Sequence, residues 1–224
     1  MSSEHTHYPM PYVRVDLCVF TLMQGVLSVL LIQRQEPPHR GAWALPGGAL
    51  RIDIEKTLED AAKRVARERL QVPIPYLREQ GFVGGQGHYE SGKWAISIVY
   101  RALVRSEYFA PEPGKRVAGT QWIPVEEAIA DEHLPFGHTG VIEAAAAALR
   151  QEVEALDFPF EILDSEFTLG ELQHQSEVLL GTKLDKSSFR RRLAARDHLE
   201  PTGTMTQGSA SRPAQLYRVK KRTT

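Results

Sequence analysis

Residues 168–219 carry four short elements whose ends are marked by particular side chains. Thr168 is suited to cap a helix, and Glu171, three residues on, completes a capping box that satisfies two otherwise orphaned backbone N–H groups. Leu169, Leu172, Val178 and Leu179 supply an apolar face, and Gly181 ends the helix. After the link Thr182-Lys183-Leu184, Asp185 caps a second helix over 186–197, with Phe189, Leu193 and Ala194 apolar at i, i+4 and i+5. Its other face shows Lys186, Ser187, Arg190, Arg191 and Arg192. Two strand-like stretches follow, 199–205 and 213–219, with the polar turn 206–211 between them. A solvated tail has no reason to keep apolar residues at core spacing, so this segment is expected to fold.

The order of helix, short turn, basic helix and hairpin is that of a winged helix-turn-helix. Charge distribution agrees. The formal net charge is only −1, yet residues 183–222 hold eleven Lys and Arg against three acids, while the first 182 hold sixteen against twenty-five. A basic module on an acidic body suggests a polyanion partner. In such a fold the second helix enters the DNA major groove. That makes Lys186, Ser187, Ser188, Arg190 and Arg191 the expected contact set, with Arg212 at the tip of the wing reaching phosphate or minor groove. Arg192 and Arg196 read equally as partners of Asp197 or of the acidic first helix, and Lys220-Lys221-Arg222 as a tail.

The rest of the chain reads as mixed strands and helices. Val13, Val15, Leu17 and Val19 alternate with Arg14, Asp16, Cys18 and Phe20, and a turn at Met23-Gln24-Gly25 leads into a second strand, 26–32, its expected hairpin partner. Residues 36–53 form a Pro/Gly-rich loop. Leu58, Ala61, Ala62, Val65, Ala66 and Leu70 recur at helical spacing, with Pro73 and Pro75 ending that helix. A loop at Gly84-Gly85-Gln86-Gly87, a strand over 94–104, a short strand at 121–123, a short helix over 125–130 and a long helix over 139–156 complete an α+β unit. Asp157-Phe158-Pro159-Phe160 breaks the pattern, so the expected organisation is 1–150 followed by 151–224. With 42% hydrophobic and 25% charged residues the chain has the means to build a core. Its one cysteine, Cys18, reads as a core residue and excludes an intrachain disulfide. His5 and His7 lack a third metal ligand. No apolar run reaches the roughly 18 residues of a membrane span, and the N-terminus lacks signal-peptide features, so a cytoplasmic protein is expected.

The stretch Arg40-Gly41-Ala42-Trp43-Ala44-Leu45-Pro46-Gly47-Gly48, followed by the Ala61-Ala62 helix, resembles the Nudix fold, an α/β/α sandwich. That family's signature, G-x5-E-x7-R-E-U-x-E-E-x-G-U with U aliphatic, carries glutamates that bind magnesium at a diphosphate, because a hard cation wants oxygen ligands. Aligned on Ala61-Ala62, the signature Arg is Arg64, the next Glu becomes Val65, the paired glutamates become Glu68 and Arg69, and the Gly becomes Gln71. The segment after Gly48 is about two residues too long and its Glu position falls on Lys56. With two of three helix carboxylates lost, the resemblance implies the fold without the hydrolase: no catalytic residue, no metal and no cofactor are expected.

Both halves together, including Tyr8-Pro9-Met10-Pro11 and the 184–193 and 199–203 stretches, resemble the Nudix-related transcriptional regulators, which join a Nudix-like effector domain to a winged helix. The resemblance implies a ligand-responsive, homodimeric, double-stranded-DNA-binding regulator on a palindromic operator. Its effector would be ADP-ribose, a relative of it or a sugar derivative. Half-sites would lie about 34–36 Å apart. Arg40, Trp43, Arg64, Glu68, His88 and Lys93 are the effector-pocket candidates, with Gly47, Gly48 and Trp94 beside them. Trp43 reads equally as core, and Arg64 and Glu68 as an ordinary i, i+4 pair. Where many members carry an Arg-Asp-Pro-Arg-Gly-Trp-like run this chain has Gly87-His88-Tyr89-Glu90-Ser91-Gly92-Lys93-Trp94, so a bidentate phosphate partner is missing there. Two other readings stay open at this point. One is a working magnesium-dependent hydrolase of ADP-ribose-like substrates built on Glu55, Glu59 and Glu68. The other is an RNA-binding or purely structural adaptor; against RNA binding stands the lack of an aromatic stacking platform, since only Phe189 and Tyr217 are aromatic beyond Phe167.

Overall fold

The computed structural model describes residues 10–74, 76–89, 93–206 and 213–220. The first unit runs β1 (Tyr12–Met23), β2 (Val26–Arg34), β3 (Trp43–Ala44), β4 (Gly47–Ala49), α1 (Leu58–Leu70), β5 (Arg78–Gln86), β6 (Trp94–Val104), β7 (Val117–Pro124), α2 (Val125–Ala130) and α3 (His138–Glu154). The second runs β8 (Phe167–Thr168), α4 (Leu169–Leu180), α5 (Lys186–Arg196), β9 (Leu199–Met205) and β10 (Gln215–Val219).

Strand alternation explains the layers. In β1 and β2, Val15, Leu17, Val19, Leu30 and Ile32 point to one face, where Ala61, Ala62, Val65, Ala66 and Leu70 of α1 cover them. Cys18, Phe20, Val29 and Leu31 point to the other, against Val141, Ile142, Ala145, Ala146 and Leu149 of α3. One helix on each face makes the α/β/α sandwich, and alanines in both helices bring backbone close to the sheet. The sheet order is β3-β2-β1-β6-β5, with β4 on β1 and β7 on β2. β1 and β6 are parallel from Tyr12 opposite Ala95 to Thr21 opposite Val104.

In the second unit the expected caps are present. Thr168 and Glu171 form the capping box, Gly181 is left-handed at φ 67°, and the Asp185 carboxylate accepts from the Ser188 N–H at 2.8 Å. Phe189 and Leu193 are buried, but Ala194 is exposed, so the apolar stripe of α5 is narrower than its spacing suggests. The apolar cluster against α3 continues into Leu172, Leu179, Phe189 and Leu193, so the two units share one core.

Two expectations change. Gly84-Gly85-Gln86 belongs to β5 rather than to a loop: a Cβ on Gly84 would stand 2.6 Å from the Ala95 carbonyl, so the glycine permits close pairing with β6. The 36–53 loop contains β3 and β4, and β4 places Gly47 and Gly48 opposite Asp16 and Val15. α1 stops at Gln71, left-handed at φ 55°, ahead of Pro73. Arg212, the turn 207–211, His5, His7, Pro75 and Lys221-Arg222 lie outside the described residues.

Candidate effector cavity and DNA-facing helix

Where β1, β4 and the end of α1 meet, a cavity of about 90 Å³ is walled by four arginines: Arg14, Arg34, Arg69 and Arg116. Arg14 comes from β1, Arg34 from the end of β2, Arg69 from the last turn of α1, and Arg116 from the residue before β7. Tyr12 and Tyr89 and the Gly47-Gly48 backbone complete the wall. The volume is well under the roughly 300–1,000 Å³ of sites that engulf a drug-sized ligand. It suits one charged group of a ligand, the remainder lying across the mouth.

Each arginine is held in place. Arg14, buried, gives Nε and Nη2 to Asp16 Oδ1 at 3.2 and 2.7 Å and lies over the rings of Tyr89 and Phe136 at 4.6 and 5.0 Å. Arg34 stands 4.9 Å over Phe136 and gives Nε to the Pro38 carbonyl at 2.8 Å. Arg69 gives Nε to the Gly47 carbonyl at 2.8 Å and Nη1 to the Lys115 carbonyl at 2.6 Å. Its burial pushes its pKa down from the ordinary guanidinium value, while Glu68 pulls it up. Arg116 pairs with Glu36 at 2.9 Å. Among the described residues no carboxylate pairs with Arg34 or Arg69, so the cavity carries about two uncompensated positive charges.

The floor requires glycine at position 47 and leaves little room at position 48. A Cβ on Gly47 would stand 1.9 Å from Asp16 Oδ1, and one on Gly48 would stand 3.1 Å from Val65 Cγ2. Behind the floor, Asp16 and His138 are fully enclosed. His138 Nδ1 accepts from the Leu45 N–H at 3.0 Å, which leaves the ring proton on Nε2, 3.9 Å from Asp16 Oδ2. Burial pushes the His138 pKa down against the pull of Asp16. Burial also opposes the Asp16 charge, but Arg14, then His138 and Ser97, hold its carboxyl well below the usual carboxylate range.

The six sequence candidates for the effector pocket do not line this cavity. Arg40 is exposed with Nε on the Gln35 carbonyl at 2.8 Å, and Trp43 is half-buried against the core on the α3 side of the sheet. Arg64 reaches Glu55 through Nε, Glu68 at 3.1 Å and the Ala49 carbonyl at 2.6 Å. His88 Nε2 lies 3.0 Å from Ser97 Oγ, and burial lowers its pKa. Lys93 is exposed. None of the six forms the cavity wall, whereas Gly47 and Gly48 do. The arginines that do form it are far apart in sequence, and only Arg69 had a signal: its place in the signature.

The same geometry tests a magnesium ion. Val65 is fully buried, Arg69 puts a cation beside Gly47, and Glu55 and Glu68 are both engaged by Arg64. Among the described residues no group of three or more His, Cys, Asp or Glu is placed to hold a metal. The residues do not fit the ion.

On α5, Lys186, Ser187, Arg190 and Arg191 are exposed and Ser188 is half-buried, its backbone N–H held by the cap. Lys186 and Arg190 line a groove of about 410 Å³ with Gly170 at the start of α4 and Gln215 and Tyr217 of β10. The described cations of the hairpin are paired within the fold, Arg218 with Glu200 at 2.7 Å and Lys220 with Asp197 at 2.5 Å. Lys186, Arg190 and Arg191 have no ion-pair partner among the described residues. Arg192 and Arg196 pair with neither Asp197 nor α4: they donate to the carbonyls of Glu154 and Ala155 at the end of α3, Arg196 at 2.7 Å. They clamp α5 to the helix whose first residue is His138. No described helix is long and apolar enough to cross a membrane.

Comparison with known proteins places both regions. Residues 11–145 match the NUDIX domain, and residues 159–219 match the NrtR DNA-binding winged helix domain. The ADPR responsive transcriptional repressor NtrR of Acinetobacter baylyi is 32% identical over 215 residues, 96% of this chain and 84% of that protein. The crystal structure of Shewanella oneidensis NrtR complexed with a 27mer DNA superposes with a TM-score of 0.77 at 34% identity, covering 93% of each chain. The NUDIX domain of the same protein complexed with ADP ribose gives 0.58 at 29%, covering 63% of this chain and 90% of that one. A chain matched along nearly its whole length, in both units and in their order, belongs to the NrtR family of Nudix-related transcriptional regulators.

Proposed function

We propose that this chain is an effector-responsive transcriptional repressor, dimeric on a palindromic operator and acting in the cytoplasm. Residues 1–150 sense a diphosphate-bearing metabolite of the ADP-ribose type, and residues 151–224 bind DNA. The observation that carries the reading is the pair of cationic surfaces at opposite ends of one helix. Asp16, which holds the cavity's Arg14, faces His138 at the start of α3, and the α5 cations that have no ion-pair partner among the described residues belong to a helix clamped at the end of α3. A shift of α3 on effector binding would carry the recognition helix with it, and the coupling would be reciprocal. Val65 and Arg69 in place of metal-binding glutamates support a sensor rather than a hydrolase. So do the engagement of Glu55 and Glu68 by Arg64 and the pairing of Glu59 with Lys63, which occupy all three carboxylates of the rearranged metal site.

The test is fluorescence anisotropy of labelled DNA from upstream of the protein's own gene, across a salt series, with Arg190→Ala/Arg191→Ala as comparison. Tight, sequence-selective binding that the double variant loses supports the reading. Weak binding that fades alike for every sequence as salt rises is the phosphate term alone and rejects it.

A further inference from the structure

We propose that Arg69 takes the place of the magnesium ion in this cavity, so that the chain binds a diphosphate group with a guanidinium and needs no divalent cation. The inference rests on the effector reading above and specifies the chemistry of its site. A metal at a diphosphate does two things: it supplies positive charge, and it bridges phosphate oxygen to protein oxygen. Arg69 performs both. Its side chain occupies the signature position of a metal-binding glutamate, and it is anchored on the protein side by the Gly47 and Lys115 carbonyls. Carbonyl oxygens of this kind are cation ligands by nature, and here a guanidinium satisfies them.

Two of its nitrogens are committed to those carbonyls, and Nη2 lies toward Gly48, 3.6 Å from where a Cβ would stand. Because Gly48 has no side chain, the space before Nη2 stays open to the cavity. A planar guanidinium presents five N–H donors in a fixed fork, so an arginine anchored through two nitrogens still offers donors to phosphate oxygen. Charge supports the same ligand class. Arg14 is balanced by Asp16 and Arg116 by Glu36, while Arg34 and Arg69 have no carboxylate partner among the described residues. The two remaining positive charges match the two negative charges of a diphosphate diester. A divalent cation brought in beside Arg69 would meet repulsion from all four guanidinium groups.

The experiment is isothermal titration of the full chain with ADP-ribose and, separately, with inorganic diphosphate, each in EDTA and in millimolar magnesium. ADP-ribose binding in EDTA that magnesium strengthens less than about twofold supports the proposal. Arg69→Met should weaken it about tenfold or more, the worth of a charge-assisted bond. Since Arg69 is buried, Arg34→Met serves as a second variant and should also weaken binding in EDTA, with thermal unfolding confirming that each variant folds. Binding of ADP-ribose only when magnesium is present overturns this inference and leaves the effector reading standing. Diphosphate binding in EDTA without ADP-ribose binding upholds the inference and removes ADP-ribose as the effector. Failure of both ligands under both conditions overturns the site itself.

Discussion

The molecule has two arginine-rich regions built on opposite plans. In the cavity, Arg14 and Arg69 are buried and fixed by a carboxylate, by aromatic faces or by backbone carbonyls before any ligand arrives. On α5, Arg190 and Arg191 are exposed and have no ion-pair partner among the described residues. A small ligand offers few contacts, so its site gains from donors that lose little freedom on binding. A nucleic-acid backbone offers many phosphates, and mobile surface cations suffice to gather affinity from them. Buried arginines should therefore govern folding and ligand choice, and exposed ones DNA affinity and its salt dependence.

The contrast can be broken at several points, the largest effect first. Asp16→Ala would leave Arg14 buried without its counter-charge, and urea unfolding should show a loss of about 3–5 kcal/mol. Arg190→Ala/Arg191→Ala should leave unfolding unchanged and weaken operator binding about a hundredfold. The slope of log affinity against log salt should become shallower by about 1.8. Removing the clamp with Arg192→Ala/Arg196→Ala should preserve most DNA affinity but shrink the effector's influence on it, read by anisotropy with and without ADP-ribose. His138 gives a pH signature. Its folded pKa is lowered, so below about pH 6.5 the unfolded chain takes up a proton that the fold refuses, and stability falls as pH falls. His138→Gln should flatten the decline in thermal midpoint between pH 7 and 5. The smallest effect belongs to Arg218→Ala, which removes an exposed pair and should cost less than about 1 kcal/mol.

The same contrast explains what could be read in the sequence. The winged helix was legible because its signals are local: Thr168 with Glu171, Gly181, and Asp185 ahead of the Phe189/Leu193 stripe. The main strands and helices of the sandwich followed from their periods, whereas β5 was hidden by glycines that reduce strand propensity but fit close pairing. The cavity was illegible because its parts are scattered. Arg14 alternates with valines like any strand residue, Arg34 ends a strand, and Arg116 sits in a turn. Only the register that brings β4 onto β1 and β7 onto β2 assembles them. Arg40, His88 and Lys93 drew attention through proximity to motif residues in sequence, and none of the three lines this cavity.

The central claim is that occupancy of the arginine cavity changes DNA binding by α5. Its most direct test is anisotropy of upstream DNA titrated with the full chain, with and without saturating ADP-ribose, for the native protein and for Arg69→Met. The account predicts that ADP-ribose weakens DNA binding by about tenfold and that Arg69→Met binds DNA normally but no longer responds at the same ADP-ribose concentration. DNA affinity that is the same with and without ADP-ribose, or a response that survives in the variant undiminished, would contradict it.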